Sequence, residues 1–369
     1  MRVVYFSRDF TPHDHRFLQA LAGTENEVSF LRLEARRDDP RRLQVPEGVG
    51  VIDWWGGRRP LRLVDYPRAR AEVGRVLRQL RPDLVHAGPV QQAALLTAAS
   101  GYRPLVTMSW GSDLLRDARR GWGRAAARYA LRRSDVLVCD CAAVRDAAAG
   151  LGMAPDRTVV FPWGVDLDRF RPGPGTELRR RLGWEEAFVF LSTRAWEPLY
   201  GVDLLVEAFL AAAVRLPSLR LLLLGHGSRE RSILGQIARA KMDDRVHRPG
   251  PVPLSRLPDY YRAADVYVSA SHSDGSSVSL MEALACGIPS LVSDIPGNRE
   301  WIEPDVQGWT FADGDAAELS AAMVTAYERR EELARLGGEA RQRAESRANW
   351  KINFPSLLRA YAMAVGEAG

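Results

Sequence analysis

The sequence predicts an α/β protein with two domains, each built on a parallel sheet covered by helices. Short apolar runs alternate with helical patterns along most of the chain, which is typical of parallel sheets. A Pro/Gly-rich stretch over 161–175 interrupts this alternation and is typical of a linker between domains. The length of 369 residues suffices for two domains of ordinary size.

The first half of the chain predicts strands that alternate with helices. An amphipathic helix is predicted over 67–80, with apolar residues at helical spacing, and a charged loop over 36–42. The strands are predicted over 3–6, 27–33, 51–54, 84–86, 105–108, 136–139 and 159–161.

A second series of strands and helices follows the linker. Its strands are predicted over 188–192, 221–224, 246–247, 266–269 and 290–293, and its helices over 202–214, 228–240, 254–263 and from 277, with a helical stretch over 316–365. We therefore predict a first domain over 1–170 and a second over 171–345. A C-terminal helix within 346–369 is predicted to return to the first domain.

The two halves of the chain differ in charge. Residues 1–170 hold 27 Arg and Lys against 20 Asp and Glu, whereas 171–369 hold 24 against 26. A basic first half fits an anionic acceptor or an anionic membrane surface. Within it, 116–133 is Arg-rich and carries Trp122 and Tyr129. A solvated helix is the favoured interpretation, peripheral contact with a membrane is the alternative, and no nucleic acid partner is expected.

Several classes of protein are excluded or disfavoured. No apolar run approaches the roughly 20 residues of a membrane-spanning helix, and the chain opens directly as a strand with no secretory signal. We therefore expect a cytoplasmic protein, with the inner face of the membrane as the site of any peripheral contact. Cys139, Cys141 and Cys286 lack the spacing of metal ligands, so no metal is expected.

The stretch 271–289 combines a loop rich in Ser and Gly with a helix. It follows the predicted strand 266–269, so the helix start lies at the carboxyl end of that strand. Such a start presents free backbone N–H groups and a positive dipole end, which suits phosphate. Asp274 in the loop and Glu282 in the helix could line one pocket. The alternative interpretation of this stretch is a capping Asp and a surface Glu.

Polar residues also follow the strands of the first half, where ligands of parallel sheets bind. These candidates for a ligand crevice are His15, His86, Trp110 and Asp113. For His15 and His86 individually, a packed or solvated loop histidine is the favoured interpretation.

Eight short motifs, in order along nearly the whole chain, make it resemble the retaining glycosyltransferases of family 4. The resemblance implies the GT-B fold, with two Rossmann-like, doubly wound domains facing a central cleft. It also implies metal-independent transfer of a sugar from a nucleoside-diphosphate sugar to an acceptor such as a glycan, a lipid-linked sugar or a small molecule. The motifs lie at 81–86, 110–113, 162–172, 194–203, 224–227, 250–252, 264–266 and 274–289.

The resemblance also implies roles for residues of the second domain. Arg194 would be the phosphate cation, helped by the backbone N–H groups of Ser277, Val278 and Ser279. Asp274 would hold hydroxyls of the donor sugar, and Glu282 would bind the ribose. The remaining donor-binding positions are Tyr200, Gly225, Gly227 and Val252. No cofactor is implied besides the nucleotide-sugar substrate.

Four departures from the family pattern indicate a divergent subgroup. Asp274 replaces the usual Glu, Tyr200 replaces a usual Lys, and Trp110 replaces a His. The Gly pair of the first loop is replaced by 13–15. A catalytically silent protein that binds sugar nucleotides is therefore one alternative function. A nucleotide-sugar epimerase or hydrolase on the same fold is another, whereas a dehydrogenase is disfavoured because its glycine fingerprint is absent after the first strand.

Overall fold

A computed structural model describes residues 1–34 and 44–366 of the chain. The chain forms two compact units, one comprising Met1–Phe161 and the segment from Phe354 onward, the other Pro162–Asn353. Each unit contains a parallel sheet with helices packed on it, so the prediction of two Rossmann-like α/β domains is confirmed. The charged loop predicted over 36–42 lies outside the described residues.

The first unit alternates strands and helices from its first residue onward. Two short π-helical segments, Val90–Ala94 and Asp113–Asp117, follow strands. The elements are β1 (Arg2–Ser7), α1 (Pro12–Ala22), β2 (Glu27–Arg32), β3 (Val49–Val51), α2 (Tyr66–Leu80), β4 (Leu84–Gly88), α3 (Leu95–Ser100), β5 (Leu105–Met108), α4 (Gly121–Arg133), β6 (Val136–Cys139), α5 (Ala142–Ala149) and β7 (Thr158–Val160).

In the described residues the first sheet has seven strands in the order β3-β2-β1-β4-β5-β6-β7, with every pair parallel. The strand order reverses direction between β1 and β4. In doubly wound sheets ligands bind at such a switch point, outside the carboxyl ends of the strands.

The second unit repeats this construction. Its elements are α6 (Thr176–Leu182), β8 (Phe188–Ser192), α7 (Val202–Arg215), β9 (Leu219–Leu223), α8 (Glu230–Ala240), β10 (Val246–His247), α9 (Leu257–Arg262), β11 (Val266–Ser269), α10 (Val278–Ala285), β12 (Ser290–Ser293), α11 (Pro296–Arg299), β13 (Gly308–Phe311), α12 (Ala316–Glu328), α13 (Leu333–Arg347) and α14 (Trp350–Asn353).

The second sheet has the order β10-β9-β8-β11-β12-β13, with every pair parallel. Its switch point lies between β8 and β11. Both faces of β8 are covered, because Phe190 packs into one apolar cluster and its neighbours Val189 and Leu191 into another. This double coverage explains why the strand is one continuous apolar run in the sequence.

The last helix, α15 (Pro355–Val365), belongs to the first unit and packs against β4, β5, β6 and β7. Its Tyr361 side chain is fully buried there. The Tyr361 hydroxyl lies 2.7 Å from Nδ1 of His86 on β4. A hydrogen bond between groups 275 residues apart therefore holds the end of the chain to the first sheet.

The structure corrects three sequence predictions about elements. The strand predicted over 51–54 is the short β3, and the strand β13 was not predicted at all. Both are the last strands on their sides of the sheets, where short length and glycines weaken the apolar pattern. The helical stretch over 316–365 is divided among α12, α13, α14 and α15, with breaks that spacing alone did not reveal.

Candidate functional site

The switch point of the second sheet brings together two loops that lie far apart in sequence. Arg194 follows β8 by two residues, and Asp274 lies in the loop between β11 and α10. Because β8 and β11 are hydrogen-bonded neighbours, their loops meet at one edge of the sheet. Arg194 Nη2 donates to Asp274 Oδ2 at 2.6 Å, with the two side chains only 11% and 19% exposed.

The Arg194 guanidinium is held on a second side by the start of α10. Its Nη1 donates to the hydroxyls of Ser277 at 2.8 Å and Ser279 at 3.0 Å. Three of the five N–H donors of an arginine are thus engaged. The Nε–H has no partner in the described part of the chain. Arg194 is therefore fixed in place and still has an N–H group that makes no hydrogen bond within the described residues.

Burial and charge act in opposite directions on Arg194. Burial disfavours its charged form and is the largest single effect, but the electrostatic contributions of Asp274 and of three neighbouring tyrosines together outweigh it and raise the pKa of the guanidinium above its ordinary value. Arg194 is therefore a permanent cation. A cation that keeps its charge in a buried setting suits the recognition of an anion with paired oxygens.

The start of α10 lies beside this cation. Ser277 is the N-cap with an extended backbone, and its side chain makes no capping hydrogen bond. The Val278 side chain packs against the apolar cluster beneath α10. The first N–H groups of the helix have no intrahelical acceptor, so they and the helix dipole present a positive end next to Arg194.

Asp274 does not cap α10. Its Oδ2 pairs with Arg194, and its Oδ1 accepts a hydrogen bond from the backbone N–H of Gly275 at 3.1 Å. Glu282 is not a surface residue either, because it is 8% exposed. The interpretation of these two acids as a cap and a solvated side chain is therefore wrong.

Two tyrosines that sequence reasoning missed complete the site. The Tyr261 hydroxyl donates to Glu282 Oε2 at 2.8 Å, and the Tyr267 hydroxyl donates to Ser279 Oγ at 2.8 Å. Both phenols are fully buried, and burial raises the pKa of each above its ordinary value. Both therefore remain protonated donors that orient Glu282 and Ser279. Each lies in an ordinary apolar pattern in the sequence, which gave no signal of this role.

Tyr200 lies against the flat face of Arg194. The guanidinium carbon is 4.1 Å from the centroid of the Tyr200 ring, which is the geometry of a cation–π contact. The ring covers one face of the guanidinium, while Asp274 and the serines occupy parts of its edge. Tyr200 thus fixes the plane of the cation and adds no charge of its own.

The turn after β9 is packed tightly against the loop that carries Arg194. Gly225 has a φ of +98°, and a Cβ there would lie 2.6 Å from the backbone oxygen of Arg194. A Cβ at Gly227 would lie 2.6 Å from the backbone of Trp196. Glycine is therefore required at both positions for the two loops to approach. Val252 is half-buried and packs against the apolar cluster that also includes residues of α10.

The four candidates in the first unit fall into two kinds. His86 is 1% exposed, and burial lowers the pKa of its imidazole to about 3, so it is neutral. Asp113 is also buried, accepting hydrogen bonds from the Ser109 hydroxyl at 2.6 Å and the Val90 N–H at 3.0 Å. Both lie within the packed interior of the unit, as was the favoured interpretation for His86.

Trp110 and His15 are only half-buried. The Trp110 ring lies 5.6 Å from the ring of His13 at the start of α1, and the His15 ring lies 6.1 Å from that of Phe10. The loop after β5 and the start of α1 thus form one aromatic surface of the first unit. Unlike those of His86 and Asp113, these side chains remain partly exposed.

The described residues contain neither a metal-binding cluster nor a membrane-spanning helix. Within 1–34 and 44–366, no cluster of three or more His, Cys, Asp or Glu side chains has a geometry that could hold a metal ion. None of the helices in these ranges has the length and apolar character needed to cross a bilayer.

The sequence matches two family models, one for each half of the chain. The model described as Glycosyltransferase Family 4 matches residues 13–169, and the model described as Glycosyl transferases group 1 matches 175–343. Together they cover nearly all of both units. The chain therefore belongs to the GT-B glycosyltransferases of the family 4 and group 1 type.

Several similar curated relatives are named D-inositol 3-phosphate glycosyltransferase. The D-inositol 3-phosphate glycosyltransferase of Geodermatophilus obscurus is 36% identical over 226 residues, which are 58% of this chain and 49% of the relative. That of Xylanimonas cellulosilytica is 34% identical over 252 residues, 63% of this chain and 57% of the relative. The chain thus spans about half of the length of the curated relatives it matches.

Solved structures with low sequence identity show the same fold. The Anabaena HepE protein in complex with UDP-glucose has a TM-score of 0.82 at 20% identity, covering 98% of this chain and 99% of that chain. Sucrose-phosphate synthase from Thermosynechococcus elongatus has a TM-score of 0.82 at 18% identity, covering both chains fully at 100%. The GT-B fold is therefore confirmed.

Proposed function

We propose that this protein is a glycosyltransferase that moves a sugar from a nucleoside-diphosphate sugar to an acceptor, with retention at the anomeric carbon. The observation that carries the proposal is the meeting of Arg194 with the start of α10 at the switch point of the second sheet. A fixed guanidinium and a helix start together form a binding site for phosphate oxygens.

The reaction needs this site because the sugar leaves as a nucleoside diphosphate. Negative charge develops on the β-phosphate as the glycosidic bond breaks, and preorganised donors stabilise it. Arg194 and the N–H groups of Ser277, Val278 and Ser279 serve this purpose without a metal ion. The departing phosphate takes the proton of the attacking acceptor on the same face of the sugar, so no protein nucleophile is required.

Asp274 and Glu282 have separate tasks in this proposal. Asp274 pairs with Arg194 and binds hydroxyls of the donor sugar next to the reacting carbon. Glu282, oriented by Tyr261, binds the ribose hydroxyls. UDP-glucose, the ligand of the Anabaena neighbour, is the first donor to test. Inositol phosphates are the first acceptors, because the curated relatives are named for one and the first half of the chain is basic.

The test is release of nucleoside diphosphate from a panel of UDP- and GDP-sugars, with and without acceptor. Transfer predicts release that depends on the acceptor and a glycoside product with retained configuration. A silent binding protein would bind donors but release nothing. A hydrolase would yield free sugar without acceptor, and an epimerase would convert the sugar while leaving the diphosphate attached. Any of these three results would contradict the proposal.

Transfer should continue in the presence of a chelator. Arg194 and the start of α10 supply the positive charge that a divalent cation would otherwise supply. Rates measured with EDTA should match those with magnesium or manganese. If EDTA abolished transfer and metal restored it, the charge assignment to Arg194 would be wrong.

Replacing Tyr200 by Lys should tighten the binding of a nucleoside diphosphate. The ammonium adds a charge-assisted hydrogen bond, worth up to about 1–2 kcal/mol, where the family pattern has a cation. The same substitution should lower the melting temperature of the unliganded protein, because the new ammonium would lie next to the positively charged guanidinium of Arg194. Calorimetric titration and a thermal melt measure both effects.

Tyr200→Phe is the matched control for that change. It keeps the ring against Arg194 and removes only the hydroxyl. Unchanged diphosphate affinity would assign Tyr200 to positioning alone, whereas a loss would mean that its hydroxyl reaches phosphate. If Tyr200→Lys left both affinity and melting temperature unchanged, the placement of this side chain beside the phosphate site would be refuted.

Glu282→Gln should mainly raise the KM for the donor. The ribose changes little during the reaction, so its contacts contribute about equally to ground state and transition state. Tyr261→Phe should act in the same direction but more weakly, since it removes only the group that orients Glu282. Steady-state kinetics at varied donor concentration measure kcat and KM for each variant. A fall in kcat at constant KM would exclude a ribose contact.

A further inference from the structure

Two serines at the start of α10 form a chain of hydroxyl groups with Tyr267 on β11. The Tyr267 hydroxyl donates to Ser279 Oγ at 2.8 Å, and Ser279 Oγ lies 3.1 Å from Ser277 Oγ. Arg194 Nη1 donates to both serine oxygens, at 2.8 Å for Ser277 and 3.0 Å for Ser279. The chain of hydroxyl groups therefore begins at a buried phenol and ends beside the guanidinium.

The acceptor capacity of each oxygen fixes the direction of this chain. A serine oxygen accepts two hydrogen bonds and donates one. Ser279 Oγ already accepts from Tyr267 and Arg194, so the hydrogen bond between the serines is donated by Ser279. Ser277 Oγ then accepts from Ser279 and from Arg194, which fills both of its acceptor positions.

The proton of the Ser277 hydroxyl is left without an acceptor by this count. Within 1–34 and 44–366, Ser277 Oγ has hydrogen bonds to Arg194 and Ser279 alone, and it does not cap α10. The residue is only 4% exposed. A buried donor without an acceptor costs stability, so this proton is suited to an acceptor that a bound anion supplies.

Tyr267 keeps the chain in this direction. Its phenol is fully buried, and burial raises its pKa above its ordinary value, so the group stays a donor. Without this O–H group, Ser279 Oγ would have an acceptor position to spare, and the Ser277 proton could turn inward to it. Hydrogen bonds in a chain also polarise one another, so each donor strengthens the next.

We propose that the Ser277 hydroxyl donates a hydrogen bond to the β-phosphate of the sugar donor, and that Tyr267 positions its proton through Ser279. This inference rests on the proposed function, which assigns the phosphate to Arg194 and the start of α10. It adds a side-chain donor to the backbone N–H groups of that helix. The proton is oriented before the substrate arrives, as stabilisation of a developing negative charge requires.

The test is calorimetric titration of UDP, UMP, GDP and GMP into the wild type, Ser277→Ala and Ser279→Ala. Ser277→Ala keeps the backbone N–H group and should lower the affinity for the diphosphate about tenfold, as the loss of one hydrogen bond to a charged group implies. Affinity for the monophosphate should change little. The uncapped geometry of Ser277 implies that this variant folds normally.

Ser279→Ala is the matched control, because each alanine removes one acceptor of Arg194 Nη1. It leaves the Ser277 hydroxyl able to donate and should therefore cost clearly less diphosphate affinity. Equal losses in the two variants would mean that the serines only hold Arg194 in place. That result, or an undiminished diphosphate affinity in Ser277→Ala, would overturn the proposal.

Tyr267→Phe tests the positioning role. It should lower the affinity for the diphosphate by less than Ser277→Ala does, and it should have no further effect when Ser277 is already alanine. Tyr361→Phe removes the hydroxyl of another fully buried tyrosine, bonded to His86, and should lower only the melting temperature. Additive losses for Tyr267→Phe and Ser277→Ala, or no loss in Tyr267→Phe, would refute the orientation of Ser277 by Tyr267.

The same titrations separate this inference from the proposed function. A wild type that prefers the diphosphate, with the preference intact in Ser277→Ala, refutes the hydroxyl contact and leaves the phosphate site standing. A wild type that binds diphosphate and monophosphate equally refutes the phosphate site itself, and the hydroxyl contact with it.

Discussion

Arg194→Ala should lower kcat/KM for sugar transfer by at least about a hundredfold, the effect of removing one preorganised donor from a developing negative charge. The loss should exceed this lower bound, because the change removes the cation as well as its hydrogen bonds. The kcat/KM of Arg194→Lys should lie between that of the wild type and that of Arg194→Ala. An ammonium restores the charge but lacks the planar guanidinium that contacts several groups together. Initial rates of nucleoside diphosphate release measure all three.

Arg179 provides the control for this experiment. It forms an ion pair with Asp265 at 2.7 Å, and both side chains are half-buried like those of the Arg194 pair. Asp265 precedes β11, whereas Asp274 follows it, so the two ion pairs lie at opposite ends of the same strand. Arg179→Ala should lower the melting temperature but leave kcat/KM nearly unchanged. Equal kinetic losses for the two variants would mean that Arg194 acts only through stability.

Asp274→Asn should lower kcat by about tenfold to a thousandfold, as for one positioned polar contact beside the reacting carbon. Affinity for the nucleoside diphosphate should stay the same or improve, because Asn removes a negative charge that neutralises Arg194 and repels phosphate. A lower kcat with unweakened diphosphate binding is a combination that loss of fold does not produce. Steady-state kinetics and titration calorimetry on the same preparation test it.

Asp274→Glu sharpens this prediction. It restores the acid that is usual in the family pattern but adds a methylene next to Arg194, where Asp274 Oδ2 is only 2.6 Å from Arg194 Nη2. A pocket built around the shorter side chain should therefore lose rate. An unchanged kcat in Asp274→Asn would remove this residue from the active site altogether.

The position of the proposed donor site could largely be predicted from the sequence. Arg194 and Asp274 each follow an apolar run that predicts a buried strand, and ends of parallel strands meet at one edge of a sheet. The sequence did not show that β8 and β11 are neighbours, because strand order depends on long-range packing. Consequently neither the Arg194–Asp274 ion pair nor the contact of Tyr200 with Arg194 could be predicted.

The partners of some buried side chains could not be predicted from the local sequence. Tyr261 lies in the short helix α9 and looks like an ordinary core residue, yet its hydroxyl orients Glu282. His86 follows an apolar run and was a candidate for a crevice, but Tyr361, far away in sequence, encloses it. In both cases the function of a side chain depends on a partner brought close only by the tertiary fold.

We propose that Arg194 and the start of α10 bind the β-phosphate, and one comparison of ligands tests this most directly. UDP and UMP, and likewise GDP and GMP, are titrated into the wild-type protein and into Arg194→Gln. We expect the wild type to prefer the diphosphate of the correct base by at least about tenfold, as charge-assisted hydrogen bonds to one more phosphate imply. The variant should lose most of that preference while still binding the monophosphate. Equal affinity of the wild type for diphosphate and monophosphate, or an undiminished preference in Arg194→Gln, would contradict the account.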